Sequence, residues 1–140
     1  MKKKVLFLCT YNSVRSQLAE ATLKHFACDG FEVRSAGSFP SGINPNVEKV
    51  LSEAGIKMHG QYSKSISEVA KENFDYVITV CDLAAKSCPA FLGNYKRIHW
   101  PIEDPGRIQG PQEDIIFAFR KTRDILKDLI LDFIKNNENS

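Results

Sequence analysis

Hydrophobic positions fall into short apolar runs and helical stripes that alternate along the chain. Residues 4–8 are continuously apolar after Lys4 and predict a buried strand. Residues 16–27 then place Leu18, Ala19, Thr22, Leu23, Phe26 and Ala27 on one helical face, and Asp29-Gly30 stops that helix. Residues 31–36 predict a second strand, followed over 37–45 by a loop dense in Gly, Pro and Ser. Residues 46–54 repeat apolar side chains at Val47, Val50, Leu51 and Ala54, with Gly55 closing the helix. Residues 62–70 read as a loop entering a short helix, with Ser65 or Ser67 as its N-cap.

The run YVITV at 76–80 predicts a third strand, β-branched and aromatic, bracketed by Asp75 and by Cys81-Asp82. Residues 96–99 predict a fourth on a less marked pattern, and 100–111 is Pro- and Gly-rich loop. Pro111 suits the first turn of a long helix over 111–134. Its inner stripe is Ile115, Phe119, Thr122, Leu126, Ile130 and Phe133, and residues 136–140 form a polar tail.

Strands alternating with helices predict an α/β fold. The expectation is one domain over 1–140: a four-stranded parallel sheet flanked by helices on both faces and wound by right-handed crossovers. Ligands in such sheets bind beyond the strand C-termini. Cys9 and Cys81 each directly follow a predicted strand, so both belong to that binding edge.

Composition narrows the function classes. A net charge of +2 over 140 residues makes no case for nucleic-acid binding, so any anion site must be local. Lys2-Lys3-Lys4 reads as a solvated start. No stretch approaches the roughly 18 apolar residues of a membrane span, and the run at 5–8 is too short for a signal-peptide core. The expectation is a cytoplasmic protein, with no oligomer signal and hence a monomer. A reducing compartment argues against static structural disulfides for the four cysteines.

The loop between the first strand and the first helix carries the chemistry. It opens with Cys9 and closes with Arg15-Ser16, a C-x5-R-S pattern. A strand-to-helix loop aims several backbone N–H groups at one point, and the helix dipole adds positive potential there. Thr10, Tyr11, Asn12, Ser13, Val14 and Arg15 thus form a cup for a tetrahedral oxyanion, with the Arg15 fork gripping two oxygens. The same field favours a thiolate at Cys9, and Ser16 can donate its hydroxyl to that sulfur. Asn12 tolerates a left-handed backbone and can brace a turn. The bland alternative makes Cys9 a buried strand-end cysteine and Arg15 a surface residue.

Cys81 and Cys88 are separated by six residues. A disulfide needs Cα atoms within about 7 Å. A helix across the pair would hold them about 10 Å apart at 1.5 Å per residue. Bridging then requires rearrangement, which suggests a redox-coupled change. The other readings are two structural cysteines or half of a zinc site. Zinc knuckles space cysteines by two to four residues, and no other Cys/His pair has that spacing, although His99 is available. The expectation is no metal.

Glu103-Asp104-Pro105 places carboxylates on a loop that can reach an oxyanion pocket as general acid or base, or simply stand as a solvated turn. Cys28 reads as a small core residue, and His25 and His59 as surface or loop residues.

The run Cys9-Thr-Tyr-Asn-Ser-Val-Arg-Ser-Gln-Leu-Ala-Glu20 resembles the anion loop of the low-molecular-weight protein tyrosine phosphatase superfamily, and Ser35-Ala36-Gly37 matches its next landmark. Within it, Cys81 to Cys88-Pro89 and His99-Trp100 to Asp104-Pro105 resemble the thioredoxin-coupled arsenate reductases, over essentially the whole chain. The resemblance implies arsenate as substrate, with phosphate or sulfate as mimics. It implies Cys9 as nucleophile, Cys81 as resolving thiol, and Cys88 as the shuttle that presents a disulfide to thioredoxin. Arg15 would neutralise the oxyanion, Ser16 hold the thiolate and Asp104 handle protons. No cofactor is implied beyond thioredoxin as electron donor.

Tyr11 stands where the phosphatases usually have Gly, and no tyrosine follows Asp104-Pro105. Both departures favour arsenate over an aromatic phosphoester. Related reductases bind potassium near the loop through Asn, Glu, Ser and Asp. Asn12, Glu20 and Ser35 match, but Lys64 falls where the Asp would, so its ammonium is expected to replace the metal charge. A phosphatase needs neither Cys81 nor Cys88 and is the second reading. A non-catalytic oxyanion-binding thiol sensor is the third.

Overall fold

The computed structural model describes residues 2–27, 29–58, 60–81, 91 and 93–137. The expectations placed on Cys28, His59, Cys88 and the segment joining Cys81 to Cys88 fall outside these residues. Four strands, β1 (Lys3–Cys9), β2 (Phe31–Gly37), β3 (Tyr76–Thr79) and β4 (Lys96–His99), form one sheet in the order β2-β1-β3-β4. Every pairing is parallel, as the alternation of strands and helices predicts.

Register decides what the sheet does. Leu8 pairs with Thr79 on one side of β1, and Cys9 pairs with Gly37 on the other. The ladder runs one step further, where the Val80 N–H donates to the Leu8 carbonyl at 2.9 Å. Cys9 and Cys81 therefore leave neighbouring strands at the same C-terminal edge, where parallel sheets place their ligands.

Strand β1 is buried on both sides, with Val5, Leu6, Phe7 and Leu8 all inaccessible. One side faces the aromatic cluster in which Phe7 packs on Trp100, and Phe31, Tyr76 and Trp100 pack on Phe133 of the long helix. On the other side the Lys4 ammonium pairs with Glu72 and sits 5.3 Å from the centre of the Phe74 ring. The chain that leads into β3 adds Val69 and Phe74 to the core, and Ile66 of the short 3-10 turn Ile66–Glu68 packs against it. Each fully buried side chain of the Leu, Ile or Phe kind contributes about 1.5–3 kcal/mol.

Helices α1 (Arg15–Ala27), α2 (Pro45–Glu53) and α3 (Gln112–Asn137) pack on one another beside β1 and β2. The Asn44 side chain caps α2 by accepting from the Asn46 N–H at 2.9 Å, and Ser65 rather than Ser67 caps the 3-10 turn. Helix α3 buries Phe119, Thr122, Leu126, Ile130 and Phe133 as its stripe predicts. At its start Ile116 is buried and Ile115 only partly so, which shifts the first contact by one residue. Phe26 departs from the expected inner face of α1: it is 39% exposed, stacked edge-on with His25 and beneath the Lys127 ammonium. Among the described residues no helix is long and apolar enough to cross a membrane.

Candidate active site

The loop from Thr10 to Val14 is held from outside by its carbonyls. The Thr10 carbonyl accepts from the Phe39 N–H at 2.9 Å, and that of Tyr11 from the Ser41 N–H at 3.1 Å. The Asn12 carbonyl accepts from Gln17 Nε2 at 3.1 Å, and the Ser13 carbonyl from the Asn44 N–H at 3.1 Å. A trans peptide points its C=O and its N–H in opposite directions, and the described chain has no cis bond. Pinning the carbonyls of Thr10, Asn12 and Ser13 therefore aims the N–H groups of Tyr11, Ser13 and Val14 the other way. These three residues line a cavity of about 170 Å³ with Cys9, Arg15, Ser41, Asn44, Asp104 and Gly106. That is well below the 300–1,000 Å³ of ordinary small-molecule pockets and suits one small anion.

Two backbone features make the turn possible. Asn12 has φ +48°, the left-handed region that Asn tolerates better than most residues. Gly37 lies directly under the loop: a Cβ there would sit 2.7 Å from Asn12 N and Thr10 O, and 2.9 Å from Cys9 O. Any side chain at 37 displaces the turn, which gives the match at Ser35-Ala36-Gly37 its physical reason.

A buried polar chain links the nucleophile to a carboxylate. Ser16 Oγ lies 2.8 Å from Cys9 Sγ. Asn12 Nδ2 donates to Ser16 Oγ at 2.8 Å and to Ser35 Oγ at 2.9 Å, and Ser35 donates to Glu20 Oε1 at 2.5 Å. Asn12 Oδ1 accepts from the Lys64 N–H at 2.8 Å. The Lys64 ammonium, on a residue only 6% exposed, donates to the carbonyls of Ser35 and Tyr62 at 3.0 and 3.1 Å. Burial pushes the Lys64 ammonium below the usual lysine range, while the Glu20 charge acts to raise it. The four positions singled out for a cation, Asn12, Glu20, Ser35 and Lys64, thus sit together behind the loop.

Arg15 and Asp104 meet over the cavity. Arg15 Nη1 donates to the Ile102 carbonyl at 2.9 Å, and Nη2 lies 3.9 Å from Asp104 Oδ2. Asp104 also caps the 3-10 turn Pro105–Arg107 by accepting from the Gly106 N–H at 2.8 Å. Of the two carboxylates read as candidates, only Asp104 lines the small cavity.

Cys81 is buried, and its sulfur lies 3.3 Å from the hydroxyl of Thr10, the residue after Cys9. A second, larger cavity of about 670 Å³ opens over Thr10, Tyr11, Arg15 and Cys81 and continues along the 101–108 loop. Tyr11, 51% exposed, forms a wall of both cavities. His99, at the end of β4, has Nδ1 2.8 Å from the Thr79 hydroxyl. The outer donors Phe39, Ser41 and Asn44 are invisible in the sequence, because backbone N–H groups carry no sequence signal. Gln17 is legible in principle, since a buried amide amid the apolar positions of α1 is a signal in itself.

The family model for low molecular weight phosphotyrosine protein phosphatase matches residues 4–139. A protein named arsenate reductase in Shouchella clausii is 40% identical over 98% of this chain and 99% of its own length. A solved structure of an arsenate reductase in the phosphate binding state superposes with TM-score 0.81 at 29% identity, covering 96% of this chain and 98% of that one. A thioredoxin-dependent arsenate reductase of Corynebacterium glutamicum superposes with TM-score 0.67 at 32% identity, covering 93% of this chain and 62% of that one. With its cup, fold and full-length likeness in agreement, the chain belongs to the low molecular weight phosphotyrosine protein phosphatase family, in the company of that family's arsenate reductases.

Proposed function

We propose that this protein reduces arsenate to arsenite through a relay of three thiols, Cys9, Cys81 and Cys88, recharged by thioredoxin. The observation that carries the reading is the second buried thiol at the cup: Cys81, 3.3 Å from the Thr10 hydroxyl and two residues past the end of β3, the strand beside β1. Hydrolysis of a phosphoester has no use for it. The relatives named arsenate reductase, one of them thioredoxin-dependent, point the same way.

Arsenate sits in the cup on the N–H groups of Tyr11, Ser13 and Val14, with Arg15 turned from the Ile102 carbonyl onto its oxygens. The Cys9 thiolate attacks arsenic, the As–O bond to an arsenate hydroxyl breaks, and that hydroxyl leaves as water with a proton from Asp104. The Cys81 thiolate then attacks the Cys9 sulfur. The sulfur–arsenic bond breaks, its electron pair stays on arsenic, and arsenite leaves behind a Cys9–Cys81 disulfide. Attack by the Cys88 thiolate on Cys81 frees Cys9 as thiolate and forms Cys81–Cys88, which a thioredoxin dithiol reduces. Thr10 donates to the Cys81 thiolate and Ser16 to that of Cys9.

A phosphatase reading draws on Cys9, Arg15 and Asp104 lining one cavity, with water instead of a thiol freeing Cys9. The deciding measurement is arsenate-dependent NADPH oxidation with thioredoxin and thioredoxin reductase, for the unaltered protein, Cys81→Ser and Cys88→Ser. Turnover requires all three thiols. Unchanged turnover in Cys88→Ser refutes the shuttle. Phosphotyrosine hydrolysis without arsenate-driven oxidation favours the phosphatase, and anion binding without either reaction a sensor.

A further inference from the structure

We infer that Gln17, locked by Gln61, is a positioning residue for the oxyanion cup: it holds the Asn12 carbonyl outward and so aims the Ser13 N–H at the bound anion. The inference rests on the reading of the loop as an anion cup and adds a residue to it.

Gln17 is fully buried on the first turn of α1. Its Nε2 donates to the Asn12 carbonyl at 3.1 Å and to the Tyr62 carbonyl at 3.2 Å. Its Oε1 accepts from Gln61 Nε2 at 2.7 Å, and Gln61 Nε2 also donates to the Gln17 backbone carbonyl at 3.1 Å. These partners fix both amides. Turning Gln17 over would set its oxygen against two carbonyls. Turning Gln61 over would set its oxygen against two oxygens of Gln17. In this orientation Gln61 Oε1 is buried without a partner among the described residues, while its Nε2 satisfies both Gln17 oxygens.

The place of this contact gives it its effect. Of the three carbonyls whose peptides aim cavity-lining N–H groups, those of Thr10 and Ser13 are held by backbone donors, Phe39 N and Asn44 N. The Asn12 carbonyl alone among them is held by a side chain. It also belongs to the residue with φ +48°, where the peptide has least intrinsic reason to stay put. Without the Gln17 amide, the Asn12 carbonyl keeps no donor from the loop's outer ring and the Asn12–Ser13 peptide is released to rotate. Rotation turns a carbonyl oxygen toward the anion, replacing attraction by repulsion. Gln17 touches neither the anion nor Cys9, so its effect falls on anion affinity first.

The test measures inorganic phosphate binding by calorimetry on the full chain, with arsenate KM, kcat and Tm alongside. It uses Gln17→Met, Gln61→Ala and, as a control, Thr22→Val. Thr22 is equally buried on α1 and donates only within the helix. Gln17→Met is expected to weaken phosphate binding and raise the arsenate KM about tenfold, the scale of one hydrogen bond toward a charged group, with kcat changed less than about threefold. Gln61→Ala, which removes only the lock, is expected to weaken phosphate about two- to threefold. Thr22→Val is expected to lower Tm and leave phosphate affinity unchanged. A lowered Tm with unchanged phosphate affinity in Gln17→Met overturns the inference. If Gln17→Met does not fold, unchanged affinity in Gln61→Ala overturns it instead. Failure of the unaltered protein to bind phosphate at millimolar concentration would overturn the cup itself, and this inference with it.

Discussion

The Ser16 hydroxyl stands 2.8 Å from the Cys9 sulfur, and its direction is set by Asn12. Asn12 Nδ2 is a donor only, and it lies 2.8 Å from the Ser16 oxygen. The Ser16 oxygen must accept there, which leaves its own proton for Cys9. Asn12 thereby turns Ser16 into a dedicated donor to the nucleophile. Ser16→Ala removes one hydrogen bond to a thiolate, worth about 1.5–3 kcal/mol. Alkylation of Cys9 by iodoacetamide near neutral pH is expected to slow about tenfold or more. Equal alkylation rates in the two proteins would exclude this role.

Thr10 and Cys81 supply the second expectation. Their side chains lie 3.3 Å apart and both are buried, so a Cys81 thiolate has the Thr10 hydroxyl as donor. Thr10→Val keeps the shape and removes the donor. In a single turnover with arsenate, formation of the Cys9 adduct is expected to stay within about twofold, while release of arsenite slows about tenfold. Mass spectrometry of quenched samples reads both steps. Slowing of adduct formation alone would place Thr10 with the cup and not with Cys81.

The two contacts differ in how far the sequence foretells them. Cys9, Arg15 and Ser16 sit within one short loop, so strand, turn and helix signals sufficed to bring them together. Strand β1, strand β3 and the stripe of α3 were likewise readable, because burial on both faces or on one stripe writes itself into consecutive residues. The Thr10–Cys81 contact was not readable at atomic detail. It depends on Leu8 pairing with Thr79, a register that neither strand encodes alone. The 37–45 segment read as generic Gly-, Pro- and Ser-rich loop, yet its backbone N–H groups hold the cup open. Backbone donors leave no trace in residue identity. Phe26 misled for the opposite reason: a large apolar side chain matched the helical period but lay at its edge, where Lys127 covers it.

Arg15 is occupied before any anion arrives. Its guanidinium donates to the Ile102 carbonyl and lies 3.9 Å from the Asp104 carboxylate, tying the 101–104 loop to the cup. Lys at position 15 retains the charge but cannot form the same fork. Arg15→Lys is expected to weaken phosphate binding about 100-fold, beyond the loss of a single hydrogen bond. Asp104→Asn is expected to leave phosphate binding within about threefold and lower kcat about 100-fold, as general-acid removal does. Phosphate calorimetry and steady-state turnover separate the two. Loss of binding in Asp104→Asn would assign the carboxylate to shaping the cup.

Lys64 bears on both stability and ion dependence. Its ammonium is bonded to the carbonyls of Ser35 and Tyr62, and its N–H to Asn12, the residue that orients Ser16. A cation built into the chain makes an added one superfluous, so activity and Tm are expected to be the same in potassium and in sodium. A large specific potassium effect would contradict this. Lys64→Met takes the ammonium from the Ser35 carbonyl and leaves the Tyr62 carbonyl with Gln17 Nε2 alone, and is expected to cost about 1–3 kcal/mol. The cost depends on pH with a definite sign. Burial sets the folded value below the ordinary 10.5, so the unfolded chain binds the proton more tightly. Burial of the Lys64 charge therefore costs stability most fully below its folded value, and the protein gains stability as pH rises from there toward 10.5. The methionine variant lacks that gain. Its Tm deficit is expected to widen as pH rises toward 10.5, and a deficit that narrows on that approach would mean that Lys64 holds its proton more tightly in the fold than out of it.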